Sequence, residues 1–269
     1  MRTSEDLTKL VNQSGFPLQM AIERMVVEAQ SEPIGWKVLY KEHGWKGIDG
    51  QNGFIDLVLE DQLGTSVLVL ECKRVLESDW LFLSENTSNT PSQRTRLWAT
   101  NTPNHGKASC GYFDARSSPE SAESMYCVVA GHDSKTRPML ERIAAEVTAA
   151  MEALAIEEHP LILQRQYGLR MYVSVIVTTA RLMLSKLDPS QVTLQTGEAA
   201  AVVHEEQPWI RFRKHFSSDR AVELTNSDWD FSSVATAKEK LVFVVNVRSL
   251  EEFLKKWQVV DNTLRALKS

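Results

Sequence analysis

The segment Met171–Thr179 reads Met-Tyr-Val-Ser-Val-Ile-Val-Thr-Thr, β-branched almost throughout and nearly continuous in its apolar character. A strand with one solvated face alternates apolar and polar residues, whereas a run without that alternation belongs to a strand buried on both faces. Such a strand lies at the centre of a sheet with layers on either side, and predicts an α/β protein.

Two shorter runs reinforce this. Gly53–Glu60 (Gly-Phe-Ile-Asp-Leu-Val-Leu-Glu) and Val67–Arg74 (Val-Leu-Val-Leu-Glu-Cys-Lys-Arg) read as strands joined by a turn at Asp61–Gly64, with Trp36–Tyr40 as a strand before them. Pro17 opens a helix over 17–30, in which Leu18, Ala21, Ile22, Met25 and Ala29 recur at helical spacing. Pro138 falls in the first turn of a second helix, whose Leu140, Ile143, Ala144, Val147, Met151 and Leu154 form one apolar stripe to about Glu157. Ser84–Ser124 is rich in Ser, Asn, Thr and Pro without apolar periodicity and reads as a long polar loop. Ala199–Phe216 and Lys240–Val247 read as further strands and Leu250–Trp257 as a closing amphipathic helix. The expectation is a mixed central sheet flanked by helices: a core over residues 1–180 with the polar loop at about 84–124, and an α+β extension over 181–269 packed on that core.

With 269 residues, 43% of them hydrophobic, the chain can build a substantial core, and its apolar runs are strand-length, far short of the roughly 20 residues of a membrane span. Met1–Asp6 has no apolar signal core, so a cytoplasmic protein without membrane contact is expected. Cys72, Cys110 and Cys127 lack Cys-x-x-Cys spacing, and the six histidines lack ligand spacing, which argues against a disulfide framework or a zinc site. Neither a Gly-x-x-x-x-Gly-Lys-Ser/Thr nor a Gly-x-Ser-x-Gly motif occurs. A net charge of −5 opposes a surface that attracts nucleic acid everywhere and leaves room for a local basic track.

The chemistry concentrates at the ends of the two short strands. Side chains alternate along a strand, so Glu71 and Lys73 share one face, with Cys72 on the other, and hairpin pairing lets Asp56 reach the same face. Two carboxylates and a backbone carbonyl make a hard-oxygen site for Mg²⁺ or Mn²⁺. A nearby lysine can orient the attacking water and offset phosphate charge. The competing reading is a solvated cross-strand pair with no chemistry. Charges at the ends of otherwise apolar strands weigh against it, because burial penalises them unless a partner is present.

Ile55-Asp56 followed by Glu71-Cys72-Lys73 resembles the two motifs of the PD-(D/E)xK nuclease superfamily, over roughly residues 17–180, with isoleucine where some members have proline. The resemblance implies a restriction-endonuclease-like core ordered helix, three strands, helix, strand. It also implies metal-dependent phosphodiester hydrolysis, with DNA favoured as substrate, in restriction, defence or repair. In its terms Asp56 and Glu71 hold Mg²⁺, Cys72 offers its carbonyl, and Lys73 is the catalytic lysine. Glu23 is the natural candidate for the first-helix glutamate used by many members, with Glu28 as alternative. Arg74, the pair Lys135 and Arg137 before the long helix, and Arg211 with Arg213 on one strand face are candidate phosphate contacts. A homodimer, or a protein partner docked through the C-terminal extension, is compatible with this reading. A non-catalytic module of the same architecture and an RNA-processing endonuclease remain open alternatives.

Overall fold

The computed structural model describes residues 2–29, 35–47, 50–76, 78–85, 91–101, 109–129, 138–164, 168–215, 235 and 238–260. In chain order the elements are α1 (Ser4–Gln13), α2 (Phe16–Glu28), β1 (Trp36–Lys46), β2 (Asn52–Asp61), β3 (Ser66–Lys73), β4 (Asp79–Glu85), β5 (Ser92–Asn101), β6 (Ser109–Ser121), β7 (Glu123–Ser124), β8 (Tyr126–Val129), α3 (Met139–Leu163), β9 (Leu169–Thr178), β10 (Arg181–Leu187), β11 (Val192–Thr193), β12 (Glu198–Ala199), β13 (Val202–Gln207), β14 (Trp209–His215), β15 (Glu239–Asn246), α4 (Leu250–Lys256) and β16 (Gln258–Val259). The protein is a mixed α/β structure. Among the described residues no helix is long and apolar enough to cross a membrane.

The central strand predicted from sequence is β9, buried along its whole length. One edge of β9 pairs with β3 in parallel. Its other edge is shared, the N-terminal part pairing with β5 and the C-terminal part with β15. Beyond β3 the sheet continues antiparallel through β2 to β1, and beyond β15 it continues through the antiparallel β14 to β7, which runs parallel to β14. Residues past 180, expected as an extension, thus supply two strands to the central sheet. A separate four-stranded sheet runs β13-β10-β4-β8.

Alternation along the strands builds two cores. Val58, Val67, Val69, Tyr172 and Ile176 meet Leu140, Val147 and Leu154 of α3 on one face. Leu57, Leu59, Leu68, Leu70 and Val175 meet Ile22 and Val26 of α2 and Phe253 of α4 on the other. The helix α2 follows Gly15, whose φ of +84° is accessible to glycine, and carries Pro17 in its first turn.

Two expectations are corrected. Most of the supposed polar loop is a hairpin of β5 and β6, paired from Ser92↔Ser121 to Asn101↔Ser109. Several of its polar residues are interior: Thr95, Thr100 and Ser117 are fully buried, and Thr95 Oγ1 and Ser117 Oγ hydrogen-bond at 2.6 Å. The long helix also continues past Glu157, through Pro160 to Leu163, because Glu158 and Ile162 are buried there and tertiary contact outweighs the proline.

Candidate functional site

The β2–β3 hairpin turns at Asp61, whose carboxylate accepts from the Thr65 amide at 2.7 Å and hydroxyl at 2.9 Å, while Gly64 takes φ +67°. That turn sets the register Glu60↔Val67, Leu59↔Leu68, Val58↔Val69, Leu57↔Leu70. One step further, Asp56 stands across from Glu71, where the regular ladder stops. The Asp56 carboxylate takes over the free amide there: the Cys72 backbone N–H donates to Asp56 Oδ2 at 2.6 Å. Residues opposite each other in an antiparallel pair share a face, and Asp56 and Glu71 both line one cavity of about 460 Å³ under α3. Glu146 of α3 lines it from above. Lys73, two residues beyond Glu71, acts electrostatically on both Asp56 and Glu71.

Two residues not singled out in the sequence complete the arrangement. Glu42 of β1 lies between the pairs Lys41↔Leu57 and His43↔Ile55, beside Asp56, and has φ +47°, a conformation rare for a residue with a Cβ. The buried Gln19 of α2 holds it there, donating from Nε2 to Glu42 Oε1 at 2.6 Å and to the Asp56 carbonyl at 2.9 Å. A sequence signal for Gln19 exists: it is a polar residue three positions before Ile22 on the apolar stripe of α2.

Three carboxylates crowd Glu71. Burial, then Asp56, Glu146 and Glu42, push its proton affinity up against the opposing pull of Lys73, to a pKa of about 7. Asp56 is raised too, by burial first and by Glu42, and the Cys72 amide and Lys73 only partly offset this. Buried, the Cys72 thiol is pushed up by the same surroundings. Sharing one proton or one cation relieves such a cluster, and its donors are all oxygen, which suits a hard divalent ion. Among the described residues, no three His, Cys, Asp or Glu side chains converge tightly enough to hold a metal as they stand.

The cluster has a measurable consequence for stability. Between pH 4.5 and about 7 the folded chain holds the Glu71 proton while the unfolded chain releases it, so stability falls as pH rises through that window. The full penalty, about 3 kcal/mol for a shift from 4.5 to about 7, is in place above it. Denaturant titrations of Glu71→Gln should match wild type near pH 4 and give a protein up to about 3 kcal/mol more stable at about pH 8. Parallel pH profiles for the two proteins would show that folding does not raise the proton affinity of Glu71.

The remaining candidates are placed differently. Glu23 lies on α2 but pairs with Lys41 Nζ at 2.9 Å, and Gln19, one turn earlier, is the α2 side chain that touches the site. Glu28 pairs with Arg24 in solvent. Arg74 follows Lys73 and donates to the Asn12 carbonyl at 2.6 Å, tying the end of β3 to α1. Arg211 and Arg213 do share one face of β14, but that face is interior, which removes them as phosphate contacts. Arg211 is fully buried over the Phe243 ring and donates to Ser121 Oγ and the Ser117 carbonyl, and burial lowers its pKa to about 10. Arg213 is held by Glu123 and Glu239. Lys135 and Arg137 lie outside the described residues. Comparison with protein-family models, with curated proteins and with solved structures finds no match to this chain.

Proposed function

We propose that this chain is a metal-dependent nuclease that hydrolyses phosphodiester bonds, with DNA favoured as substrate. One observation carries the reading: Asp56 and Glu71, from neighbouring strands, face a single cavity in which Glu71 keeps its proton up to about pH 7, with Lys73 beside both. The order of elements supports it as well. A helix, three antiparallel strands, a helix and a strand parallel to β3 follow one another as α2, β1, β2, β3, α3 and β9, with β4–β8 inserted between β3 and α3. This order is the one that the resemblance to the nuclease superfamily implies.

Asp56 and Glu71 would hold Mg²⁺ or Mn²⁺, with the Cys72 carbonyl as a further oxygen donor. Such an ion polarises the scissile phosphate and lowers the pKa of a bound water. Lys73 would orient an attacking water and balance charge on the phosphate, while Gln19 fixes the Asp56 backbone and Glu42 relative to each other. The protein incubated with plasmid, single-stranded DNA and RNA should cut at least one of them in Mg²⁺ or Mn²⁺ and none in EDTA. Cutting that persists in EDTA, or that never appears with either metal, overturns the proposal.

A second reading has an observation of its own. Asp56 Oδ2 is already engaged by the Cys72 amide, as it would be in a module that uses this acid only to terminate a hairpin ladder. That reading predicts no cleavage under any metal condition.

A further inference from the structure

A second cavity, about 620 Å³, adjoins the acidic one, and the two share Trp45, Asn52, Gly53 and Phe54 as a common wall. On the helix side their walls are Glu146 and Ala150, then Ala153 and Glu157. These positions form one stripe of α3, roughly 16 Å long at 1.5 Å per residue. The cavities are therefore one groove, which starts at Asp56 and Glu71 and runs out between α3 and the end of the β1–β2 hairpin.

Phe54 lines both parts and is 67% exposed, an unusual position for a large aromatic ring. Its ring lies over Gly44, where a Cβ would stand 3.7 Å away, and a Cβ on Gly53 would come within 3.1 Å of Trp45 Nε1. The ring thus lies in ordinary contact with the backbone at Gly44, and Gly53 lets Trp45 pack closely on the strand beside it. Lys46 is the one cation among the described residues that line the groove, set against Glu146 and Glu157. A duplex is held by a row of cations along its phosphates, and the described residues of this groove supply no such row. Stacking on an exposed aromatic ring needs a base free of its pair, which a single strand offers along its length and a duplex does not.

We propose that the groove takes a single strand of nucleic acid, with one base stacked on Phe54, and delivers the adjoining phosphodiester to Asp56 and Glu71, an inference that rests on the nuclease reading. The test is fluorescence anisotropy in Ca²⁺ with a fluorescein-labelled strand of about twenty nucleotides and with its duplex, alongside cleavage of both in Mg²⁺. Wild type should prefer the single strand by about tenfold or more. Phe54→Ala should bind it roughly fivefold to a hundredfold more weakly, and Phe54→Trp should retain the affinity. Because Phe54 is exposed, its loss leaves the core intact.

Wild-type binding of the duplex as tightly as the single strand, no binding of the single strand, or unaltered binding by Phe54→Ala would each overturn the proposal. If wild type cleaves and Phe54→Ala cleaves equally well, the groove assignment falls and the nuclease reading stands. Binding that depends on Phe54 without cleavage of any substrate removes the nuclease reading, and with it the delivery step.

Discussion

Asp56→Asn, Glu71→Gln and Lys73→Ala are each expected to lower metal-dependent cleavage at least a hundredfold, measured as initial rates at saturating Mg²⁺. A positioned acid–base group contributes roughly 10²- to 10⁴-fold to a rate, and loss of a carboxylate oxygen from a two-acid metal site is at least as damaging. In the proposed reading the three act on one centre: one step past the pair Leu57↔Leu70, Asp56 comes across from Glu71, and Lys73 acts on both. Residues that work as a unit are not additive, so the double variant Asp56→Asn/Lys73→Ala should be little worse than either single change. Glu23→Gln is the informative contrast. With its carboxylate taken by Lys41 and partly exposed, its removal should change the rate only a few-fold. A Lys73→Ala protein that cuts at the wild-type rate would dismantle the assignment, since Lys73 is the cation that acts on both acids.

Most of what positions this centre was legible because it depends on period. The apolar runs around Asp56 and Glu71 became β2 and β3 almost residue for residue, and the unalternating run became β9, buried on both faces. Alternation alone put Glu71 and Lys73 on one face. Whatever depends on partners was hidden. Thr95, Ser117 and Ser121 have the composition of a loop, and only their mutual hydrogen bonds and the buried Arg211 make them interior. Arg211 and Arg213 were assigned to one strand face correctly, but a side chain's face does not reveal what covers it. Glu42 carries no periodic signal, since its backbone departs from the strand pattern at that residue. Gln19 and Glu146 come to the site from helices whose angle to the sheet is set by packing over both cores.

Arg170→Met is expected to destabilise the fold by about 3–5 kcal/mol, the largest loss from any single change away from the site. Arg170 of β9 is buried, and its guanidinium joins two buried acids, Glu60 of β2 and Glu158 of α3. It also donates to the Gly64 carbonyl at 3.1 Å in the hairpin turn. Tyr172 donates to Glu158 at 2.6 Å, and Lys37 reaches Glu60 at 2.6 Å. Burial alone would raise the Glu60 pKa, but the hydrogen bonds from Lys37 and Arg170 more than offset it and hold the carboxyl below its usual range. Removing the arginine leaves two buried charges facing one another, which costs far more than the contact itself contributes. For a chain of this size the loss corresponds to roughly 6–20 °C in Tm. Arg170→Met/Glu158→Gln should recover part of it, and a calorimetric scan in which the single variant melts with wild type would refute the account. The network also bears on the site, because it pins Glu60 and Gly64 at the far end of the hairpin that carries Asp56 and Glu71. A slip of one residue in β2 would turn Asp56 out of the cavity and Glu60 away from Arg170 together, so the ion network and the acidic centre select the same register.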